Sequence, residues 1–418
     1  VSEPAPPFGG VAPAELAATY GTPLLVLDTG VLDATLQRFG ELGAELGIDV
    51  AYAGKALLIV ALAERLAASP LGLDVCSLGE LLVAERAGFP AARITFHGCG
   101  KTDEELRAAA AGRTGRIVVD HLDELERLIA LPVAAPPLRV FLRLNPGIEA
   151  ETHRYVQTGG EGSKFGFVAE QLEGAIALLL GAPRVQLTGL HCHLGSNLFD
   201  SAPYLAALDR LFEVYVRARE LGGPLRELIV GGGFGVDPQP NGEALDVDSI
   251  LRALAARVAL LAAEARVPVP RLGVEPGRAI VAAAGTSLYR IVTVKHHGTR
   301  RFAIVDGGLA DNPRPALYDA YHHPQACGRS FASELEETIV CGRSCENDEL
   351  AVAALPTDLH AGDFLALRTT GAYTFSMASN YNRFPRPAVV FAGQGRHRLV
   401  VRRETPAELL EHDVVAGR

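Results

Sequence analysis

The sequence predicts a (β/α)8 barrel followed by an all-β domain, on three observations. Eight short β-rich runs alternate with longer Ala/Leu/Glu-rich runs as far as Gly277. Repeated βα units of this kind fit a closed barrel better than an open doubly wound sheet, the competing arrangement. Beyond Gly277 the long helical runs stop, and β-rich runs punctuated by Gly and Pro take over. Finally, residues suited to chemistry stand at strand exits, beginning with Lys55 in Tyr52-Ala-Gly-Lys-Ala56. The exit end of the strands is where barrel enzymes collect their catalytic groups.

The elements follow in order. The first ten residues are Pro-rich and read as frayed. Residues 22–27 read as a strand closed by Asp28 and Gly30, and residues 31–46 as a helix. The barrel strands are expected at 49–53, 73–76, 94–97, 116–119, 139–144, 187–194, 227–230 and 271–275. Helical runs separate most of them, including 79–87, 102–111, 122–130, 169–180, 204–221 and 247–265. In the second domain, strands are expected at 280–283, 288–296, 301–306, 336–340, 364–368, 388–391 and 397–402. The domain division is therefore 28–277 for the barrel and 278–418 for the β domain, with the N-terminal strand region 10–27 joining the latter.

The chain has 418 residues, 48% of them hydrophobic, enough for two cores. Its formal charge is -10, and no run of five basic residues occurs, which argues against a nucleic-acid partner. No secretory leader and no apolar 20-mer is seen, so no membrane partner and a cytoplasmic location are expected. Of the six cysteines only Cys341 and Cys345 are closely spaced, and no second pair completes a zinc pattern.

Several constellations carry chemistry. A lysine placed like Lys55 can form a Schiff base with an aldehyde if burial or a neighbouring cation lowers its pKa, although most lysines at strand ends are simply solvated. Asp74, Ser77 and Glu80 follow the second barrel strand. Ser77 with Glu80 is a capping-box pattern, and Asp74 is left open. His191 and His193 share a strand face by the period of two. They could ligate a metal, although no third ligand is evident, or stack on a planar cofactor, or be satisfied core histidines. Gly195 and Ser196 could offer an N–H and a hydroxyl to a phosphate.

Gly231-Gly-Gly-Phe-Gly235 follows the seventh strand, where barrels hold phosphate groups, and a bare turn is the alternative. Glu275-Pro-Gly-Arg278 follows the eighth. Its carboxylate could keep a pyridine nitrogen protonated, and its arginine could pair with phosphate or carboxylate. In the β domain, Arg314 and Tyr318, Cys341 to Asp348, Gly371-Ala-Tyr373 and Ser379-Asn-Tyr-Asn382 put polar and aromatic residues into loops. Together they suggest that this domain supplies half of a ligand site.

These stretches, taken with Thr152-His-Arg-Tyr-Val-Gln-Thr-Gly159, Lys164-Phe-Gly166, Asp306-Gly-Gly308 and Arg314-Pro-Ala-Leu-Tyr318, resemble in order and spacing the diaminopimelate decarboxylase family. That family belongs to the fold-type III, alanine racemase-like, pyridoxal-phosphate enzymes. The resemblance runs from about Thr22 to Val401 and implies a barrel plus β domain and decarboxylation of meso-2,6-diaminopimelate to L-lysine. It implies that Lys55 holds pyridoxal 5'-phosphate as a Schiff base and that His193 stacks on the ring, with Asp74 and Glu80 supporting that histidine and the nearby polar network. Ser196, the loop with Gly232, Gly233 and Gly235, Gly277 and Arg278 would hold the phosphate, assisted by Tyr373. Glu275 would pair with the pyridine nitrogen. Arg278, Arg314, Tyr318, Glu346 and Tyr373 would bind the distal end of the substrate. Cys345, the expected proton donor, and Glu346 would come from the partner in a homodimer.

Some positions depart from the family pattern: Arg343 and Asn347 flank Cys345-Glu346, Asn197 replaces a glutamine, and Val389 replaces an acidic residue. Related enzymes act on ornithine, arginine, carboxynorspermidine or a carrier-bound amino acid, and a racemase of the same fold is a further alternative.

Overall fold

A computed structural model describes residues 8–134, 136–148, 163–237 and 245–414. The Thr152–Gly159 motif lies outside the described residues. The chain divides into two compact units, one essentially of residues 35–236 and 245–279, the other of residues 8–34 and 280–414.

The first strand, β1 (Leu24–Asp28), is the centre of the second unit's sheet. It pairs antiparallel with β10 (Gly285–His297), Val26 opposite Thr286, and parallel with β16 (Ala388–Gly393), Val26 opposite Val390. Leu24, Leu25, Val26 and Leu27 are all buried, so both faces of β1 are covered. An uninterrupted apolar run is what such a strand requires.

The first unit is a closed, all-parallel barrel. Its strands are β2 (Asp49–Ala53), β3 (Gly72–Val75), β4 (Ile94–Phe96), β5 (Arg116–Val119), β6 (Leu138–Arg143), β7 (Val185–His191), β8 (Glu227–Ile229) and β9 (Arg271–Val274). Strand β9 closes the ring by pairing with β2. Val118, Phe141 and Ile229 form an apolar cluster within it. Helices follow the strands, and the helix after β3 begins at the predicted cap. Ser77 Oγ accepts the Glu80 N–H, and Thr102 with Glu105 forms a complete capping box.

The other unit continues with β11 (Arg300–Val305), β12 (Pro324–Cys327), β13 (Leu335–Cys341), β14 (Glu349–Pro356), β15 (Phe364–Arg368) and β17 (Arg396–Val401). The strand order is β14-β13-β11-β10-β1-β16-β17, and β15 joins β10 and β12.

Three expectations are corrected. Residues 280–283 are not a strand. Arg278–Val281 is a helical turn, and Ile280, Val281 and Ala282 are buried; periodicity cannot separate a short, wholly apolar run into strand or helix. Strands β12 and β14 were not expected from the sequence. β12 begins with Pro, and β14 reads Glu-Leu-Ala-Val-Ala-Ala-Leu-Pro, a composition as suited to helix as to strand. The frayed N-terminus does not extend to Phe8, which is buried in the β-domain core and bridges to Val11.

Candidate active site

A cavity of about 400 Å³ opens at the carboxyl end of the barrel strands. Lys55 lines it from the tight turn Gly54–Ala56 that follows β2, with its side chain exposed. Asp74 enters from β3, His97 from the end of β4, Arg143 from the end of β6, His191 and His193 from β7 and its exit, and Glu275 from the end of β9. The face shared by His191 and His193 is therefore the cavity face.

At the base, His191 Nε2 lies 3.0 Å from Glu275 Oε2, and His97 Nε2 lies 3.3 Å from Glu275 Oε1 and 3.5 Å from Asp74 Oδ1. Burial alone would push His97 down, but the carboxylates of Glu275 and Asp74 outweigh it and raise its pKa to about 9. Burial and the neighbouring Glu275 charge raise Asp74 to about 6. Burial also acts to raise Glu275, yet His191 and His97 hold it well below the usual carboxylate range. His191 is pushed down to about 4 because burial outweighs Glu275. Between pH of about 6 and about 9 the base thus carries one imidazolium against two carboxylates. Glu275 Oε1 is buried and has no hydrogen bond among the described residues. His97 faces that oxygen without an aligned hydrogen bond, so a protonated ring nitrogen would supply the missing donor and a second positive charge, and a pyridine cofactor fits these residues.

His193 is driven well below its ordinary pKa, first by burial and then by the charge of Lys55. Its Nδ1 accepts the Gly232 N–H at 3.3 Å, leaving a neutral imidazole. Asp74 and Glu80 belong to the polar network around this ring. Asp74 faces His97, and Glu80 accepts from Cys76 N at 2.7 Å.

Beside His193, two loops interlock: Leu198 N donates to Gly233 O, and Gly235 N to Leu198 O. Arg278 Nη2 donates to Ser196 Oγ at 3.1 Å, so arginine, hydroxyl and Gly loop are brought together as expected of a phosphate cradle. Asn197, at φ 67°, puts its Oδ1 3.3 Å from Val236 N and so has a role suited to its own side chain. A Cβ on Gly232 would lie 1.9 Å from the Glu275 carbonyl oxygen. Gly232→Ala must therefore displace backbone at both the cradle and Glu275. We expect a loss of about 1–3 kcal/mol in stability and weaker cofactor binding, checked by thermal unfolding and cofactor titration.

In the β domain, Arg314 is buried with its guanidinium 5.2 Å from the Tyr318 ring centroid and 5.5 Å from that of Tyr373. These three predicted substrate contacts cluster. Cys345 is exposed, and its N–H reaches Asn382 Oδ1 at 3.2 Å, while Tyr381 OH donates to Glu346. The Cys345 loop and the Ser379–Asn382 motif are thus joined. Arg343 lies 4.3 Å from the Phe384 ring centroid, a packing role for that departure.

Sequence reading missed His97 and Arg143. Arg143 is buried, sits 4.3 Å from the Phe165 ring centroid and faces Asp120 at 3.7 Å. Their signal was position alone, since both stand at strand exits. His97, His191 and Glu275 are also the one trio among the described residues whose ligand atoms could converge on a metal.

Because His97 gains its partners on folding and its pKa rises from 6.5 to about 9, its contribution to stability is full below pH 6.5. That contribution declines as pH rises and is lost above about 9. In cofactor-free protein we expect it to be on the order of 3 kcal/mol. His97→Asn should flatten the slope of unfolding free energy between those pH values, measured by urea titration.

The fold and cavity define a class: a barrel enzyme with a lysine at its mouth, a carboxylate at its base and a glycine loop beside His193. A family model described as pyridoxal-dependent decarboxylase, pyridoxal binding domain, matches residues 32–282. The diaminopimelate decarboxylase of Actinosynnema pretiosum subsp. auranticum is 43% identical, covering 97% of this chain and 92% of its own. That of Bacillus subtilis (strain 168) is 40% identical, covering 97% and 94%. The solved diaminopimelate decarboxylase of M. jannaschii in co-complex with L-lysine superposes with a TM-score of 0.89 at 32% identity, covering 97% of this chain and 95% of that one. The chain belongs to the pyridoxal-dependent decarboxylases and, within them, to the diaminopimelate decarboxylase family. No helix among the described residues is long and apolar enough to cross a membrane.

Proposed function

We propose that the protein decarboxylates meso-2,6-diaminopimelate to L-lysine and carbon dioxide. The observation that carries the reading is one barrel cavity lined by Lys55, a neutral His193 and an ionised Glu275, in a chain alike over nearly its whole length to diaminopimelate decarboxylases.

Bound there, pyridoxal 5'-phosphate supplies an electron sink for the pair left behind when a carboxylate departs. Lys55 Nζ would hold the cofactor at its aldehyde. His193 offers its uncharged ring as a stacking surface, which keeps water from that side. Glu275 keeps a proton on the pyridine nitrogen, and His97 and His191 keep Glu275 ionised. Ser196, Gly232, Gly233, Gly235, Gly277 and Arg278 hold the phosphate, with Tyr373 assisting. Arg314 and Tyr318 read the distal carboxylate, and Glu346 the distal ammonium. Cys345 Sγ holds the proton delivered to the carbon. In this reading Cys345 and Glu346 serve the partner's site in a homodimer, which light scattering would register as twice the chain mass. The six free cysteines suit a reducing, cytoplasmic compartment.

The test is purified holoenzyme supplied in turn with meso-diaminopimelate, ornithine, arginine and lysine, with carbon dioxide and amine products measured. L-lysine formed selectively from diaminopimelate supports the reading, and faster release from another member of the panel replaces it. Removing one partner of a buried charge pair costs about 2–5 kcal/mol. Arg314→Ala should therefore lower turnover of diaminopimelate by about 10²-fold or more, while cofactor affinity stays nearly constant. Equal losses of both would remove Arg314 from the substrate clamp.

A further inference from the structure

We propose that the amino-terminal end of the barrel carries a second binding site, for a small, multiply charged oxyanion. A cavity of about 570 Å³ lies at that end, opposite the active site along the strands. The first residues of the strands build its wall: Asp49 begins β2, Arg116 begins β5, Glu227 begins β8 and Arg271 begins β9. Arg139 lies one residue inside β6, and Arg93 and Arg226 stand just before β4 and β8. Five guanidiniums therefore face two carboxylates, a local surplus of three positive charges on a chain whose formal charge is -10.

The arginines are held in place. Glu227 takes both Arg116, at 3.1 Å, and Arg139. Arg116 Nε also donates to the buried Thr95 hydroxyl at 2.8 Å. Arg271 pairs with Asp49 at 2.5 Å. Arg93 donates to the carbonyls of Ala67, Ser69 and Leu71 around the end of the helix Val60–Ala68. The Arg226 side chain makes no hydrogen bond or ion pair among the described residues.

A ring of charges serving only to tie strand ends together works best when balanced, because surplus like charge repels itself. Here two acids orient three arginines, and backbone carbonyls a fourth, without neutralising them, and each guanidinium presents five N–H donors in a rigid fork. Fixed donors with surplus charge in a concave, partly apolar wall are the elements of oxyanion recognition. The volume suits a small molecule, and the ligand class is one bearing two or more phosphate or carboxylate groups. The site is separate from the cofactor's phosphate cradle, which holoenzyme keeps occupied.

The test is calorimetric titration of holoenzyme at low salt with inorganic pyrophosphate and, in a second arm, with citrate. One saturable event per chain is expected, and the tighter arm tells phosphate from carboxylate. Arg226→Gln and Arg271→Gln should each weaken it by about tenfold, and raising salt to about 0.5 M should do likewise. Cofactor absorbance and lysine formation without added anion should stay at wild-type level in both variants, which shows that they are folded. Absence of saturable binding in both arms up to about 10 mM, a weak affinity on the scale of small-ligand binding, or unchanged affinity in both folded variants, overturns the proposal.

Discussion

In Lys55→Ala, the absorbance band of lysine-bound cofactor disappears and turnover falls by about 10³-fold or more. The chain has four lysines: Lys55, Lys101, Lys164 and Lys295. Among the described residues, Lys55 and Lys101 are the lysines that line the barrel cavity, and their circumstances are opposite. Lys101 is buried, and its Nζ donates to Gly98 O at 2.7 Å, Val118 O at 2.6 Å and Glu124 Oε1 at 2.8 Å. An ammonium with all three protons engaged has no lone pair to offer a carbonyl. Lys55 is exposed to the cavity mouth, close enough for its charge to depress His193. Borohydride reduction of the holoenzyme followed by peptide mass analysis should therefore place the pyridoxyl group on Lys55. Recovery of the label on Lys101, or an unchanged band in Lys55→Ala, would overturn the assignment. Small primary amines should restore part of the turnover in the variant, since the missing function is an amine and not a shape.

What could be read in the sequence follows from what each feature depends on. All eight barrel strands fell near their predicted positions, because a short β-rich run ended by a loop residue is a local signal. Strands β12 and β14 are set by partners instead. Gln325 and Ala326 are strand residues because Ala366 and Leu365 lie beside them. The Ala-rich β14 is extended because β13 pairs along its length. The site shows the same division. Lys55, His193, Ser196, the Gly231–Gly235 loop and Glu275 stand in compact motifs. His97 has no motif in Ile-Thr-Phe-His. It matters because barrel closure brings the ends of β3, β4 and β9 to one place, so that one imidazole meets Asp74 and Glu275. Arg143 is likewise ordinary in sequence and consequential only where its strand ends. The pairing of Ser196 with Arg278 was anticipated through shared phosphate chemistry, whereas the contact of Asp74 with His97 was not, because sequence separation says nothing about which imidazole faces it.

Lys101→Met should destabilise the protein by roughly 3–5 kcal/mol, the largest stability effect expected of a single substitution in the cavity wall. Glu124 is fully buried, its side chain at 0% exposure against 2% for Lys101. Burial pushes the Glu124 carboxyl up and the Lys101 amine down, and each opposes the other's shift. Taking away the amine leaves the acid in an apolar setting with its strongest partner gone, and frees the carbonyls of Gly98 and Val118. The acid can then protonate, so the loss should be smaller at low pH than at neutral pH. Because two charges were desolvated to make the pair, removing both is far milder than removing one. Lys101→Met with Glu124→Leu should recover most of the stability, and the coupling in a double-mutant cycle should be several-fold larger than the net effect of the double variant. Gly98 borders the cofactor cavity, so the single variant should also bind pyridoxal phosphate less tightly while still forming the lysine-bound band. That dissociation of effects is the sharpest contrast expected with Lys55→Ala: in the proposed reading one lysine holds the wall and the other takes part in the chemistry. A loss below about 1 kcal/mol, the range of exposed ion pairs, would mean that Lys101 and Glu124 are not the buried pair their geometry describes.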